Sequence, residues 1–121
     1  MAQRSSKVLR VTDIKKRYSV PTGFLSSLPP FNGGHAVDFQ AADGSGRVWP
    51  FTCSVRKKGH PKPVISKGWR AFVGSKGLKV GDKVRFYKKK NEAGAKKNGY
   101  EIRAEKEIKI FGAVFGYAPI I

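Results

Sequence analysis

Acidic side chains are scarce in this chain: 8 Asp and Glu stand against 25 Lys and Arg, leaving a formal charge of +17 over 121 residues. Such an excess repels itself and costs stability unless a polyanion is the partner. A single cysteine, Cys53, excludes an intrachain disulfide framework and fits a reducing compartment. No apolar run is long enough for a membrane span, and the opening Met1-Ala-Gln-Arg-Ser-Ser-Lys lacks the apolar stretch of a secretory signal. No long basic amphipathic helix appears, which ranks an anionic membrane behind nucleic acid as a partner. Histidine is nearly missing: only His35 and His60 occur. There is no Cys/His set with zinc spacing and no carboxylate cluster for a two-metal site, and Gly74-Ser75-Lys76 does not follow Walker spacing. The expectation is a protein without catalytic residues, metal or cofactor.

What is there is organised around Ser66 to Tyr87. Trp69, Phe72 and Val73 fall at i, i+3 and i+4, so they share one face of a short helix. Ser66 is the expected N-cap and Gly77 the left-handed residue that ends the helix, with Leu78 folding back against it. Gly81-Asp82 then turns into a strand with Val84 and Phe86 on one side, Arg85 and Tyr87 on the other.

The length suits one domain, burying roughly two thirds of its unfolded surface. Residues 1–6 are polar and expected to be disordered. A first strand is expected over Lys7 to Val11, a loop over Thr12 to Arg17, and a second short strand over Tyr18 to Val20. Pro21 can open a short helix that Pro29-Pro30 stops. Two segments then alternate with period two: Val37, Phe39 and Ala41 share a face, and so do Trp49, Phe51, Cys53 and Val55. Asp43-Gly44-Ser45-Gly46 is the hairpin turn between them. That alternation buries Cys53 and makes it inert. Val64-Ile65 begins the strand before the helix, Lys88 to Gly99 is a polar hairpin loop, and Tyr100 to Glu105 is the last alternating strand. The apolar tail 108–121 is too short for a span. It either packs on the barrel or pairs with another chain, so self-association or a protein partner is open there. The sum, six or seven short strands with two short helices, is an all-β fold, a small β-barrel whose ends the helices close.

Taken together, Thr12-Asp13-Ile14, Val20-Pro21, Leu28-Pro29, Asp43-Gly44 with Trp49-Pro50-Phe51, and Lys67-Gly-Trp69-Arg-Ala-Phe72-Val73 followed by Leu78-Lys-Val-Gly81-Asp82-Lys-Val84-Arg-Phe86 resemble the plant B3 DNA-binding domain. The last block is the specific part, and the match covers about Lys7 to Glu105. The resemblance implies a seven-stranded open pseudobarrel over residues 7–107, with 108–121 as an extension. It implies two arms that grip the major groove of double-stranded DNA, in the nucleus, in a transcription regulator. The N-arm falls on Lys15, Lys16, Arg17, Tyr18 and Ser19, and the C-arm on Arg56 through Lys62. Where the auxin-response type places arginines and a Gly-Pro, the C-arm here offers Lys57, Lys58, His60 and Lys62 around Gly59 and Pro61, and it has neither the Trp nor the Asn of the abscisic-acid type, which leaves the target sequence open.

The same two places are acid-free by composition alone. No Asp or Glu lies between Asp43 and Asp82, where Arg56, Lys57, Lys58, Lys62 and Lys67 occur, and none lies between Ile14 and Val37. Arginine can bond guanine O6 and N7 with its fork, whereas lysine is a point charge suited to phosphate. Arg17 and Arg56 are therefore the expected base readers, and Lys15, Lys16, Lys57, Lys58, Lys62 and Lys67 the phosphate contacts, with His60 and Ser19 as further donors. The bland reading of these runs is solvated loop. Tyr18 either touches the sugar-phosphate or fills the barrel edge. The run Lys88-Lys89-Lys90 is an import signal, an extra phosphate contact or a solvated tip. A general RNA- or single-strand-binding barrel is the alternative, and it would use exposed aromatics as stacking platforms.

Overall fold

Period-two alternation builds the sheet. In the computed structural model residues 3–21, 24, 28, 31, 34–55, 62–89 and 99–120 are described. The elements are β1 (Gln3–Val8), α1 (Val11–Lys15), β2 (Tyr18–Ser19), β3 (Ala36–Ala42), β4 (Val48–Ser54), β5 (Val64–Lys67), α2 (Trp69–Lys76), β6 (Lys83–Lys89), β7 (Gly99–Ile110) and β8 (Ala113–Ile120). The sheet order is β1-β6-β7-β3-β4-β5-β2, with β8 also on β7. All pairings are antiparallel except β3 with β7, where Ala41 lies opposite Tyr100 and Ala42 opposite Glu101. Strands β1 and β2 end the order without pairing to each other, so the curled sheet is an open barrel with its seam between them.

Inward-facing residues fill that curl. Phe39 lies opposite Phe51 and Ala41 opposite Trp49, and these join Cys53, Ile65, Val84, Phe86, Ile102 and Ala104 in one buried core. Trp69 and Phe72 of α2 plug it, with Trp69 stacked at 5.9 Å on Phe72 and Phe72 edge-on to Trp49 at 5.2 Å. Burial pushes the Cys53 thiol up to about 11.

Three expectations are corrected. Helix α2 starts after Gly68, not at a Ser66 cap: Gly68 is the N-cap at φ +85°, and Ser66 lies in β5. Ser66 is the extra residue of a bulge, since Thr52 pairs with Lys67 and Cys53 with Ile65. Residues Thr12 to Ile14 are helical rather than loop, because the Asp13 carboxylate accepts the Arg10 N–H at 2.8 Å and satisfies a free donor of the first turn. Gln3 to Ser6 are ordered in β1, whose polar residues pair with β6 from Gln3 opposite Lys88 to Val8 opposite Lys83. The expected seven strands make up the barrel order, and the tail adds an eighth, β8, beside that path on β7. Strand β7 runs across the expected 107/108 boundary to Ile110, and the tail folds back on it as β8, from Ile110 opposite Ala113 to Ala104 opposite Ile120. Phe111 (φ +51°) and Gly112 (φ +80°) form its two-residue turn, both with the positive φ such a hairpin needs. Helix α2 does end at left-handed Gly77, with the Leu78 N–H on the Val73 carbonyl at 3.1 Å. The helix expected after Pro21 lies largely outside the described residues.

Buried aspartates fix the turns. Asp82 accepts the Lys79 and Glu107 N–H groups at 2.8 and 2.9 Å. Asp43 accepts the Trp49 indole at 2.8 Å, both Ser45 donors at 2.8 and 2.6 Å, and Lys76 at 2.8 Å. Burial alone would raise the Asp43 pKa, but the bonds from Lys76, Ser45 and Trp49 outweigh it and hold the carboxyl well below the carboxylate range.

Two outcomes follow from these contacts. A Cβ at Gly68 would run into the Pro50 carbonyl oxygen, whereas one at Gly46 (φ +90°) meets nothing. In urea unfolding Gly68→Ala therefore costs well over 2 kcal/mol and Gly46→Ala only about 1 to 2 kcal/mol of backbone strain. The Asp43 contribution is complete above the unfolded carboxyl value near 4, and falls as pH drops below it through the depressed folded value. Asp43→Asn should flatten the acid limb of thermal stability and lower stability at neutral pH by about 3 kcal/mol, since it strands buried Lys76.

Candidate nucleic-acid interface

Strand β2 pairs with β5, Tyr18 opposite Ile65 and Ser19 opposite Val64, and the Val20 N–H continues the ladder to the Pro63 carbonyl at 2.9 Å. This register sets the end of the first basic run beside the end of the second, more than forty positions apart in the chain. The result is a groove of about 290 Å³ lined by Thr12, Arg17, Ser19, Ser54, Val55, Lys62 and Val64. Two cations and three hydroxyls line it, and among the described residues no carboxylate does. Hydroxyls and cations are the groups that hold phosphate oxygens.

Lys15, Lys16, Arg17, Ser19 and Lys62 are exposed, as the expected contacts require. Arg56, Lys57, Lys58 and His60 lie outside the described residues. Lys67 lies opposite Thr52, two positions along β4 from Ser54, and lines a second groove with Asp38, Gln40 and Thr52. It therefore does not share the groove of Arg17 and Lys62.

Tyr18 is corrected from the contact set. Its side chain is 0% exposed, with its ring 4.7 Å from Trp69 and 5.4 Å from Phe86. Burial, then the neighbouring Asp13 charge, drives its hydroxyl far above the usual range, and Ser5 offsets this in part. Neither the Tyr18 hydroxyl nor Ser5 Oγ makes a well-formed hydrogen bond within the described residues. The barrel-edge alternative is the one the fold takes, because β2 sets Tyr18 inward and Ser19 outward. Thr12, Ser54, Val55 and Val64, which the sequence had not marked as contacts, also line the groove. The outward position of Ser54 was readable from alternation with Cys53, but its place under Arg17 depends on the non-local β2–β5 pairing.

An open barrel that sets Arg17 and Lys62 in one exposed groove is suited to binding nucleic acid. The family model for the B3 DNA binding domain matches residues 6–98, and the chain belongs to that family. It is 34% identical over 87 residues to the B3 domain-containing transcription factor NGA4 of Arabidopsis thaliana. The match takes in 68% of this chain but spans only 25% of that relative's length. The fold is similar to that in the Arabidopsis FUS3–DNA complex, with a TM-score of 0.67 at 22% identity, covering 84% of this chain and 95% of that one. A hypothetical Arabidopsis thaliana protein is also similar, with a TM-score of 0.57 at 20% identity over 84% of this chain and 90% of that one. Among the described residues no group of His, Cys, Asp or Glu is placed to hold a metal ion, and no helix is long and apolar enough to cross a membrane.

Removing the Tyr18 hydroxyl tests its placement. Tyr18→Phe should leave duplex affinity unchanged and shift stability by less than about 1 kcal/mol, because a buried oxygen without a good partner contributes little. A titration showing weaker binding would return the phenol to the contact set.

Proposed function

We propose that the chain binds double-stranded DNA sequence-specifically, its two arms entering the major groove, as the DNA-reading part of a nuclear plant transcription regulator. The observation that carries this is the carboxylate-free groove in which Arg17 and Lys62, one from each arm, lie together. Arg17 and Arg56 read base edges through their guanidinium forks. Lys15, Lys16, Lys57, Lys58 and Lys62 hold phosphates, with Ser19 and His60 as additional donors. The protein acts by binding alone, without turnover or cofactor.

Single-strand binding is the weaker reading. Base-stacking platforms need exposed aromatic faces, yet Trp49, Phe51, Trp69, Phe72 and Phe86 are buried, the exposed Phe111 and Phe115 belong to the β7–β8 hairpin, and among the described residues no aromatic side chain lines the arm groove. Competition between single strands and duplexes separates the two, with duplex expected to win.

Selection from randomised duplexes identifies the preferred site, on which the two roles diverge. Arg56→Ala should cost about 1–3 kcal/mol there and relax one base position. Lys62→Ala should weaken every duplex alike and reduce the salt slope by about one. Equal loss for Arg56→Ala on specific and random duplex would remove it as a reader.

A further inference from the structure

We infer that Asp13 and Lys7 are positioning residues for DNA recognition: a buried ion pair that locks the open seam of the barrel and holds the N-arm in its reading position. The inference rests on the DNA-binding reading above. Asp13 is 1% exposed, and its carboxylate touches both ends of the arm segment. One oxygen accepts the Arg10 N–H at 2.8 Å, before α1; the other accepts the Ser19 N–H at 3.3 Å, in β2. Between these two points the chain makes α1 and then projects Lys15, Lys16 and Arg17 into solvent.

Lys7 completes the lock from across the seam. Its Nζ lies 2.8 Å from Asp13 Oδ1, donates to the Ser19 carbonyl at 3.1 Å, and sits 5.1 Å over the Tyr18 ring. Strands β1 and β2 share no backbone ladder, so this side chain ties them where the sheet does not. The pair's side chains are 21% and 2% exposed. In a chain so rich in solvent-facing cations, Lys7 is turned inward and engaged, unlike a phosphate ligand. A groove reader must be held to within a fraction of an ångström, while non-specific phosphate attraction tolerates slack. The lock should therefore govern discrimination between sequences more than attraction to DNA in general.

The test compares the selected duplex with a scrambled one, for wild type, Lys7→Met and Asp13→Asn, by titration over a range of salt. Lys7→Met keeps the bulk and removes the charge; Asp13→Asn turns an amide donor toward groups that are themselves donors. Both should lose roughly tenfold or more on the selected duplex and less than about twofold on the scrambled one, with the non-specific salt slope unchanged. Faster amide exchange at Ser19, with the β3–β4 amides unchanged, should accompany the loss. If Asp13→Asn does not fold, Lys7→Met carries the test alone. Lys7→Met weakening both duplexes equally with a shallower salt slope would make Lys7 a phosphate ligand and overturn the inference. Unchanged discrimination in Lys7→Met would overturn it as well. Wild type that prefers no duplex sequence would instead defeat the underlying DNA-binding reading.

Discussion

The Trp69 indole donates its N–H to the Asp13 backbone carbonyl at 2.6 Å, across 56 positions of chain and deep in the core. An indole buried without a partner would lose the hydration of that group with no return, so the ring's placement and α1's placement are mutually required. Trp69 opens α2, and Asp13 sits in the turn that launches the N-arm. The plug of the barrel and the base of the arm are thus one unit. Tyr18, lodged between Trp69 and Phe86 at 4.7 and 5.4 Å, extends that unit to β2 and through it to β5.

How much of this was legible depends on range. The inward faces of β3, β4, β6 and β7 follow from alternation, and the Trp69-Phe72-Val73 stripe and left-handed Gly77 from helical spacing. Local capping logic failed at Ser66 because a bulge, a feature of two paired strands, occupies it, and because Gly68 can turn the chain into α2 in a space where a side chain would strike Pro50. The loop expected at Thr12 to Ile14 is a helix because one carboxylate reaches back to Arg10. The tail left two options open, and pairing with β7 decided where it goes in this chain. Its tip still exposes Ile110, Phe111, Val114 and Phe115.

The interface was legible as charge but not as shape. Composition marked both basic segments, while only the β2–β5 register brings Arg17 and Lys62 to one groove and sends Tyr18 to the core. Charge count also says nothing of which lysines are free. Lys7 and Lys76 are engaged with buried aspartates, and Arg85, Arg103 and Lys109 with glutamates, so part of the excess positive charge serves the scaffold, while Lys15, Lys16, Arg17 and Lys62 face outward. That division lets a strongly cationic domain stay folded while leaving cations exposed beside the Arg17–Lys62 groove.

Cys53 gives this fold an internal clock. The thiol is 0% exposed near the end of β4 and held protonated by its surroundings, so a thiol-specific reagent in bulk solvent meets it only when the hairpin parts from the core. Because no second cysteine competes, the rate of its alkylation reports that opening directly, and a bound duplex that draws β2, β4 and β5 together would slow it without touching the sulfur.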